Sequence, residues 1–330
     1  MATQAALRLD HVVKRFGDFV AVNDVSFEVR KGEIFGFLGP NGAGKTTTLR
    51  MLLDIIPLTE GKISVLGAPT AATVRRQIGY LPEERGLYRK MRAAESIAYF
   101  ARLRGVPGPA AKARAVDLME EFGLGDFARS KNEALSKGMA QKVQLLATIA
   151  HDPDLLILDE PFSGLDPLNQ GTLEDLIRRM KDRGKTIIFS THVMSHAERL
   201  CDRFLILAKG EKRFEGTLAE ARAAFPPHLQ VRTSAAQAHL LELPMATTVA
   251  PLTATPEPGG ETDYQIELTA GADPQAFLKE AFARGLPISR FDAGNASLHD
   301  IFVAMAGDSP PAFLASPSSA DAPAQQLEGA

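Results

Sequence analysis

One eight-residue segment constrains the fold more than any other part of the chain. Gly39-Pro40-Asn41-Gly42-Ala43-Gly44-Lys45-Thr46 fits the pattern G-x-x-x-x-G-K-[ST] in full, after the apolar run Glu33–Leu38 and before a helix predicted from Lys45. Glycines let backbone N–H groups converge on phosphate oxygens, and the N-terminus of the following helix adds partial positive charge. We predict a triphosphate site in which Lys45 neutralises phosphate charge and the Thr46 hydroxyl binds Mg²⁺. The predicted nucleotide contacts are Asn41, Gly42, Ala43, Gly44, Lys45, Thr46 and Thr47.

A second apolar run ends in two carboxylates. Leu155–Leu158 is followed directly by Asp159 and Glu160. In an open parallel sheet, ligands lie at the carboxyl ends of the strands, so this strand end is expected at the triphosphate site. We predict that Asp159 holds Mg²⁺ through water and that Glu160 orients or deprotonates the attacking water.

Composition and charge exclude several classes of protein. The chain has 330 residues, 45% of them hydrophobic, which predicts roughly two globular domains. Its net charge of −3 gives no basic field for nucleic acid, and its single cysteine, Cys201, allows no intrachain disulfide. No apolar run approaches the ~20 residues of a membrane span. If the protein works at a membrane, another chain must cross it.

The order of the predicted elements indicates an α/β layered domain and then a smaller one. Strand-like runs alternate with helical patterns at residues 94–122 and 137–150, and the character changes near Phe225-Pro226-Pro227. We predict a first domain at residues 1–225, a small α+β domain at residues 229–307 and a disordered tail at residues 308–330, which is rich in Ser, Pro and Ala. In the second domain we expect strands at His228–Thr233, Tyr264–Leu268 and Ile288–Asp292, a loop at Pro251–Thr262, and two helices around Phe277 and Ile301.

Four further features of the sequence carry a family resemblance. Leu135-Ser136-Lys137-Gly138-Met139-Ala140-Gln141 resembles the LSGGQ signature of the ABC (ATP-binding cassette) family, and Pro161–Asp166 resembles its D-loop. His192 stands where that family has its switch histidine, and Phe16 where it places an aromatic residue against adenine. The resemblance covers about residues 5–222. It implies a P-loop NTPase cassette: a mixed sheet core with an antiparallel β subdomain and a helical subdomain.

The resemblance also implies a mechanism. Two cassettes would form a head-to-tail dimer, in which Ser136 and Gly138 of one chain contact the γ-phosphate of ATP held by the other chain. Asp166 would belong to the nucleotide site, and His192 would align Glu160 and the water.

The chain departs from the family pattern at two places. Lys137 and Met139 interrupt the signature, and the sequence leaves open whether Lys137 lies near phosphate or in solvent. Glu83 occupies the position of the usual glutamine. We expect Glu83 to serve as a metal-side sensor, because a carboxylate can bind Mg²⁺ although it lacks the donor of an amide. The alternative is a solvated loop acid.

The segment Tyr80–Tyr88 and the ending Ser297–Phe302 are similar to the sodium-efflux-type exporter branch, which has an appended C-terminal domain. This implies an ATPase on the cytoplasmic face of a membrane, working as a homodimer with a separate multi-span permease. Candidate permease contacts are Arg85, Leu87 and Tyr88, for which surface loop or local core is the alternative. A soluble ABC ATPase acting on nucleic acid or ribosomes is the rival function, which a single cassette without heptads or a basic tail disfavours.

The sequence gives no chemistry for residues 229–307. Binding of a regulatory ligand or protein and support of cassette dimerisation are the alternatives, and we favour the second. His228, His239 and His299 are expected in solvent.

Overall fold

The computed structural model describes residues 4–84, 86–224, 228–252, 260–269, 272–293 and 297–306. The chain divides into two compact units, Met1–Leu218 and Ala219–Ala330. This division falls earlier than the predicted one near residues 225–227, which lie outside the described residues, as does the predicted tail.

The first unit contains three layers of elements. Its strands are β1 (Ala5–Phe16), β2 (Phe19–Arg30), β3 (Ile34–Leu38), β4 (Glu60–Val65), β5 (Ile78–Leu81), β6 (Leu155–Asp159), β7 (Thr186–Thr191), β8 (Arg203–Ala208) and β9 (Glu211–Gly216). Its helices are α1 (Lys45–Leu52), α2 (Ala71–Val74), α3 (Ala93–Leu103), α4 (Gly108–Glu121), α5 (Lys137–Ile149), α6 (Pro167–Asp182) and α7 (Met194–Leu200). Another helix, α8 (Leu218–Ala223), begins at the division between the units.

A six-stranded sheet in the order β5-β6-β7-β3-β8-β9 forms the centre of the first unit. Its strands are parallel except β9, which runs antiparallel to β8. Every residue of β3, β6 and β7 is buried, which explains why these strands read as continuous apolar runs. Their carboxyl ends lead into the phosphate loop, Glu160 and His192 respectively, so the parallel topology brings the three motifs to one edge.

A second, antiparallel sheet has the order β2-β1-β4. Leu7, Leu9, Val25 and Phe27 alternate along β1 and β2 and pack with Phe35 and other residues of the central sheet into one core. The mixed sheet, the antiparallel subdomain and the helices α3 to α5 confirm the predicted cassette architecture.

Residues 94–122 are mostly helical, as predicted. The segment is divided between two helices, since α3 ends at Leu103 and α4 begins at Gly108. Gly105 has φ 96°, which an L side chain rarely adopts, and Pro107 lacks the N–H that a continuing helix requires.

The second unit has an antiparallel sheet packed with helices. Its strands β10 (His228–Thr233), β11 (Ala246–Pro251), β12 (Thr262–Leu268) and β13 (Ile288–Asp292) take the order β11-β12-β10-β13. Its helices are α9 (Gln237–Leu241), α10 (Pro274–Ala283) and α11 (Leu298–Ala306). The predicted strands and helices are present, whereas β11 and α9 were not predicted. His239 and His299 are exposed, as expected, and the side chain of His228 lies outside the described residues.

Among the residues that the structure describes, no helix has the length and apolar character that a membrane span requires.

Candidate functional site

The predicted phosphate loop joins β3 to α1. Gly44 precedes α1 with φ 101°, and a Cβ atom there would lie 2.6 Å from the carbonyl oxygen of Ala21. Only glycine fits this close approach, which turns the loop sharply into the helix. The loop therefore leaves backbone N–H groups at the N-terminus of α1, where an anion is favoured.

Lys45 is 6% exposed and lies at the centre of the loop. Its Nζ donates hydrogen bonds to the carbonyl oxygens of Gly39 at 2.7 Å and Pro40 at 3.2 Å, and it lies 3.7 Å from Glu160 Oε1. Burial lowers the pKa of Lys45, and the charges of Glu160, Asp159 and Glu83 oppose that shift. The ammonium thus lies near three carboxylates from two segments, in a position where it could exchange carbonyl partners for phosphate oxygens.

Asp159 ends β6 and is 1% exposed. It lies opposite Ser190 in the β6–β7 register, and the Ser190 hydroxyl donates to its Oδ1 atom. The same oxygen lies 3.4 Å from Thr46 Oγ1. The structure therefore brings together Thr46 and Asp159, two of the three residues predicted to lie at Mg²⁺.

Glu160 follows with an unusual backbone conformation. Its φ is 46°, which a non-glycine residue seldom adopts, and its N–H donates to Ser190 Oγ at 3.0 Å. Its carboxylate is buried and lies 3.0 Å from Nδ1 of His192, so Nδ1 donates in this contact. Backbone strain of this kind is concentrated at functional sites. The predicted pair of Glu160 and His192 is thus in direct contact.

A cleft of about 370 Å³, here called the phosphate cleft, connects these groups. It is lined by Phe19, Ala21, Asn41, Gly42, Ala43, Gly44, Lys45, Thr46, Thr47, Glu83 and Glu160. All seven predicted loop residues and Glu83 therefore line one cleft with the predicted base. Glu83 is exposed at its rim.

The β1–β2 hairpin supplies aromatic side chains beside the cleft. Phe16 and Phe19 pair across the turn, and both rings are at least half exposed. The ammonium of Lys14 lies 4.7 Å from the centroid of the Phe16 ring. Phe19, which sequence reasoning missed, contributes to the cleft lining, whereas Phe16 does not. The sequence signal that could have identified Phe19 is its position three residues after Phe16, before the phosphate loop.

The signature segment, Leu135–Gln141, lies outside the cleft lining. Ser136 caps α5, its Oγ accepting from the N–H of Met139 at 3.2 Å, and its side chain is exposed. A Cβ on Gly138 would lie 2.8 Å from Asn169 Nδ2, and this amide donates to Asp166. Asp166 caps α6 by accepting from the N–H of Asn169 at 2.9 Å, which lowers the pKa of Asp166. Within one chain, the signature and the D-loop are neighbours.

The ammonium end of Lys137 lies over the D-loop. A Cβ built on Gly164 would meet the Nζ and Cε atoms of Lys137, and the lysine side chain is otherwise exposed. The sequence left open whether Lys137 lies near phosphate or in solvent. The structure adds a third possibility, in which its ammonium group contacts the chain's own D-loop.

Comparison with known proteins gives the family. The ABC transporter family pattern matches residues 22–163. The uncharacterised ABC transporter ATP-binding protein YhaQ of Bacillus subtilis (strain 168) is 45% identical over 219 residues, 66% of this chain and 74% of that protein. The Nod factor export ATP-binding protein I of Burkholderia orbicola (strain AU 1054) is 41% identical over 215 residues, 64% of this chain and 71% of that protein.

A solved structure described as an ATP-binding subunit of an ABC transporter is 35% identical, with a TM-score of 0.61, and covers 66% of this chain and 92% of its own. The chain is 45% identical to YhaQ over 74% of that protein, and it has the fold and the motifs described above. It therefore belongs to the ABC transporter family, as an ATP-binding subunit with ATPase activity.

Proposed function

We propose that two copies of this chain form a head-to-tail dimer that hydrolyses magnesium-bound ATP and drives a separate membrane permease, in the direction of export. One observation carries the proposal. Lys45, Asp159, Glu160 and His192 converge on one side of the chain, whereas the exposed Ser136 lies outside their cleft. The chain has the two halves of an ATP site in different places, so a second copy supplies the missing half of each.

Glu160 is the proposed base or water-positioning residue. His192 Nδ1–H holds one oxygen of its carboxylate at 3.0 Å, and the Lys45 ammonium lies 3.7 Å from the same oxygen. A buried, oriented carboxylate beside the phosphate loop suits in-line attack by water, because phosphoryl transfer depends mainly on positioning and on charge neutralisation.

The oxygens of Thr46 and Asp159 fit Mg²⁺, which the Thr46 hydroxyl would bind directly and the Asp159 carboxylate would hold through water. Both are hard oxygen donors, and Mg²⁺ takes one or two carboxylates in addition to phosphate oxygens and water. No group of three or more His, Cys, Asp or Glu side chains that could hold a metal occurs within the described ranges, which suits a metal completed by the substrate. Bound magnesium would neutralise charge on the phosphates. Glu83, at the rim of the cleft, is proposed to sense that metal.

The second half-site consists of Ser136 and Gly138 at the N-terminus of α5, together with Asp166 in the adjoining D-loop. The first turn of α5 contains no acidic residue, so its free N–H groups present an unopposed positive end to an incoming phosphate. Adenine is proposed to stack on Phe16, with Phe19 as a second aromatic on the same turn.

The proposed permease contact lies beside α3. Tyr88 is 56% exposed and packs on Tyr99 and Phe100, and Leu87 packs partly on the core. A cavity of about 130 Å³ adjoins this patch, lined by Phe100, Arg104, His151 and neighbouring residues. Arg85, the third predicted contact, lies outside the described residues. The export direction is supported by the Nod factor export relative, and placement on the cytoplasmic face follows from the permease partnership.

The test is ATP hydrolysis by the purified chain, measured against protein concentration with and without Mg²⁺. The turnover per chain should rise with concentration, because each site needs two chains, and it should require Mg²⁺. Turnover that is independent of concentration, in a protein that stays monomeric with ATP, would contradict the dimer. Co-purification with a multi-span protein from detergent-solubilised membranes tests the permease, whereas salt-dependent binding of DNA or RNA would favour the rival function.

We also propose that residues 229–307 support dimerisation of the cassettes. Deleting residues 229–330 should weaken ATP-dependent dimerisation, and an unchanged dimerisation constant would end this idea.

A further inference from the structure

A polar cluster with a buried centre and a half-exposed arginine lies next to the D-loop, outside the residues that line the phosphate cleft. It consists of Glu174 on α6 with His196 and Arg199 on α7, and we call it the histidine cluster. His196 is 3% exposed and Glu174 is 7% exposed. Burying a charged group is costly unless it is paired, so a buried polar cluster next to a catalytic turn calls for an explanation.

The first contact of the cluster is electrostatic. His196 Nδ1 lies 2.9 Å from Glu174 Oε1, and Arg199 Nη2 donates to the same oxygen at 2.6 Å. Burial raises the pKa of Glu174, but the hydrogen bonds from Arg199 and His196 outweigh burial and leave that pKa below its usual value. The carboxylate therefore stays ionised and fixes the plane of the imidazole ring.

The second contact is a stacked ring pair. The imidazole of His196 lies parallel to the ring of Phe162, with 4.0 Å between centroids and 8° between planes. On its other side, Phe162 meets Phe189 of β7 edge-on at 5.8 Å. Phe162 is thus held between α7 and the central sheet in a geometry that is specific as well as apolar.

Phe162 is the second residue after Glu160, in the turn that begins the D-loop. The N–H of Ser163 bonds back to the carbonyl of Glu160 at 3.1 Å, and Gln141 of α5 holds the carbonyl of Pro161 at 3.3 Å. Because Glu160 has φ 46°, its conformation persists only if the surrounding contacts fix it. The stacking of His196 on Phe162 is one of the contacts that fix this turn.

We propose that His196, oriented by Glu174, is a positioning residue that fixes Phe162 and, through the turn, sets the carboxylate of Glu160 and the adjoining D-loop for hydrolysis. This inference rests on the proposed function of the same site. His196 also follows the switch residue His192 by four positions, so both histidines reach the Glu160 turn from the β7–α7 segment.

Two substitutions at His196 separate its two contacts. His196→Asn keeps a short polar side chain for Glu174 but removes the ring, whereas His196→Phe keeps the ring but removes the bond to Glu174. In the full-length chain, we expect His196→Asn and Phe162→Leu each to lower kcat about 10-fold, because small misplacements of a reacting group cost this much or more. Affinity for a fluorescent ATP analogue should stay within about twofold, since the phosphate loop is untouched, and His196→Phe should recover most of the turnover.

The double variant Phe162→Leu/His196→Asn should lose no more kcat than the worse single variant, because both changes break one contact. Phe204→Leu is the matched control: Phe204 is 1% exposed and packs on Phe214, away from the D-loop. It should lower the free energy of unfolding with little change in kcat.

Three results would overturn the inference. The first is wild-type kcat in His196→Asn, and the second is a loss of ATP affinity in that variant equal to its loss of kcat. The third is a Phe204→Leu variant in which kcat falls as much, for the same loss of unfolding free energy, as it does in His196→Asn. A wild-type chain without ATPase activity would instead contradict the proposed function, so the two failures are distinguishable.

Discussion

The phosphate cleft and the signature segment differ in how far their own chain completes them. At the cleft, Lys45 and Glu160 and the adjacent Asp159 are all buried, and each is paired with another group of the chain. In the signature segment, Ser136 is exposed, and its hydroxyl bonds only within its own helix, to the N–H of Met139, among the contacts described. We call the cleft the closed half of the site, because its own chain preorganises it, and the signature segment the open half, because we propose that a second chain completes it. The two halves are expected to respond differently to substitution.

The largest effect should come from the centre of the closed half. Lys45→Ala removes a buried ammonium and leaves Glu160 facing phosphate without its counter-charge. We expect kcat/KM for ATP to fall about 10³-fold, or about 4 kcal/mol of transition-state stabilisation, measured by phosphate release.

Lys185→Ala is the control for Lys45→Ala, since Lys185 is also largely buried and paired with carboxylates, Asp152 and Asp154. It should keep wild-type turnover. Full activity in Lys45→Ala would refute the assigned role.

Glu160→Gln should separate chemistry from binding. The amide keeps the size of the side chain but loses the basic oxygen, so kcat should fall about 10²-fold or more while ATP still binds. Unhydrolysed ATP then holds the two chains together, and size-exclusion chromatography with light scattering should detect a dimer. Glu33→Gln, at a buried acid paired with Arg203, is the control and should not accumulate a dimer. A monomeric Glu160→Gln protein at saturating ATP would argue against a shared site.

The closed half was also the part that the sequence described best. Residue types at Gly39–Thr46 and at Asp159-Glu160 are required by local chemistry, and the parallel order of their strands brings the motifs to one sheet edge. Contacts between distant segments were not predictable in this way. The stacking of His196 on Phe162 and the approach of Asn169 to Gly138 depend on how α5, α6 and α7 pack, which no local pattern records.

The elements missed in the second unit have a simple physical reason. Only Val249 is buried in β11, so this strand shows no alternation of apolar and polar positions. Helix α9 has five residues and buries only Leu240, which is too little for a helical period to appear. By contrast, the apolar positions of β12 alternate in full, and that strand was predicted.

The open half should show a smaller effect that appears only in the dimer. Ser136→Ala removes a hydroxyl donor to the partner's γ-phosphate, and a hydrogen bond to a charged group contributes about 1.5–3 kcal/mol. In the Glu160→Gln background, we expect the ATP-dependent dimerisation constant to weaken about 10- to 100-fold, with ATP affinity of the single chain unchanged. A loss of monomer affinity would place Ser136 in the wrong half.

The control for Ser136→Ala must account for the lost helix cap, which costs about 1 kcal/mol. Phe204→Leu, at a buried position of β8 that packs on Phe214, also lowers the free energy of unfolding. It should leave dimerisation by ATP intact, which separates a loss of stability from a loss of the contact with phosphate.

The smallest effects are expected at the rim of the closed half, where Glu83 replaces the amide usual in the family. Glu83→Gln keeps an oxygen that can face the metal and removes a charge that repels phosphate, so turnover should stay within about threefold of wild type. Glu83→Ala removes the oxygen and should lower kcat about 10-fold, with the Mg²⁺ concentration for half-maximal rate raised. Glu84→Gln, at the neighbouring acid outside the cleft lining, is the control. If Glu83→Gln is inactive, the carboxylate itself is required and the sensor role is wrong. If Glu83→Ala is fully active, Glu83 is a solvated loop acid, and the closed half ends at Lys45, Asp159 and Glu160.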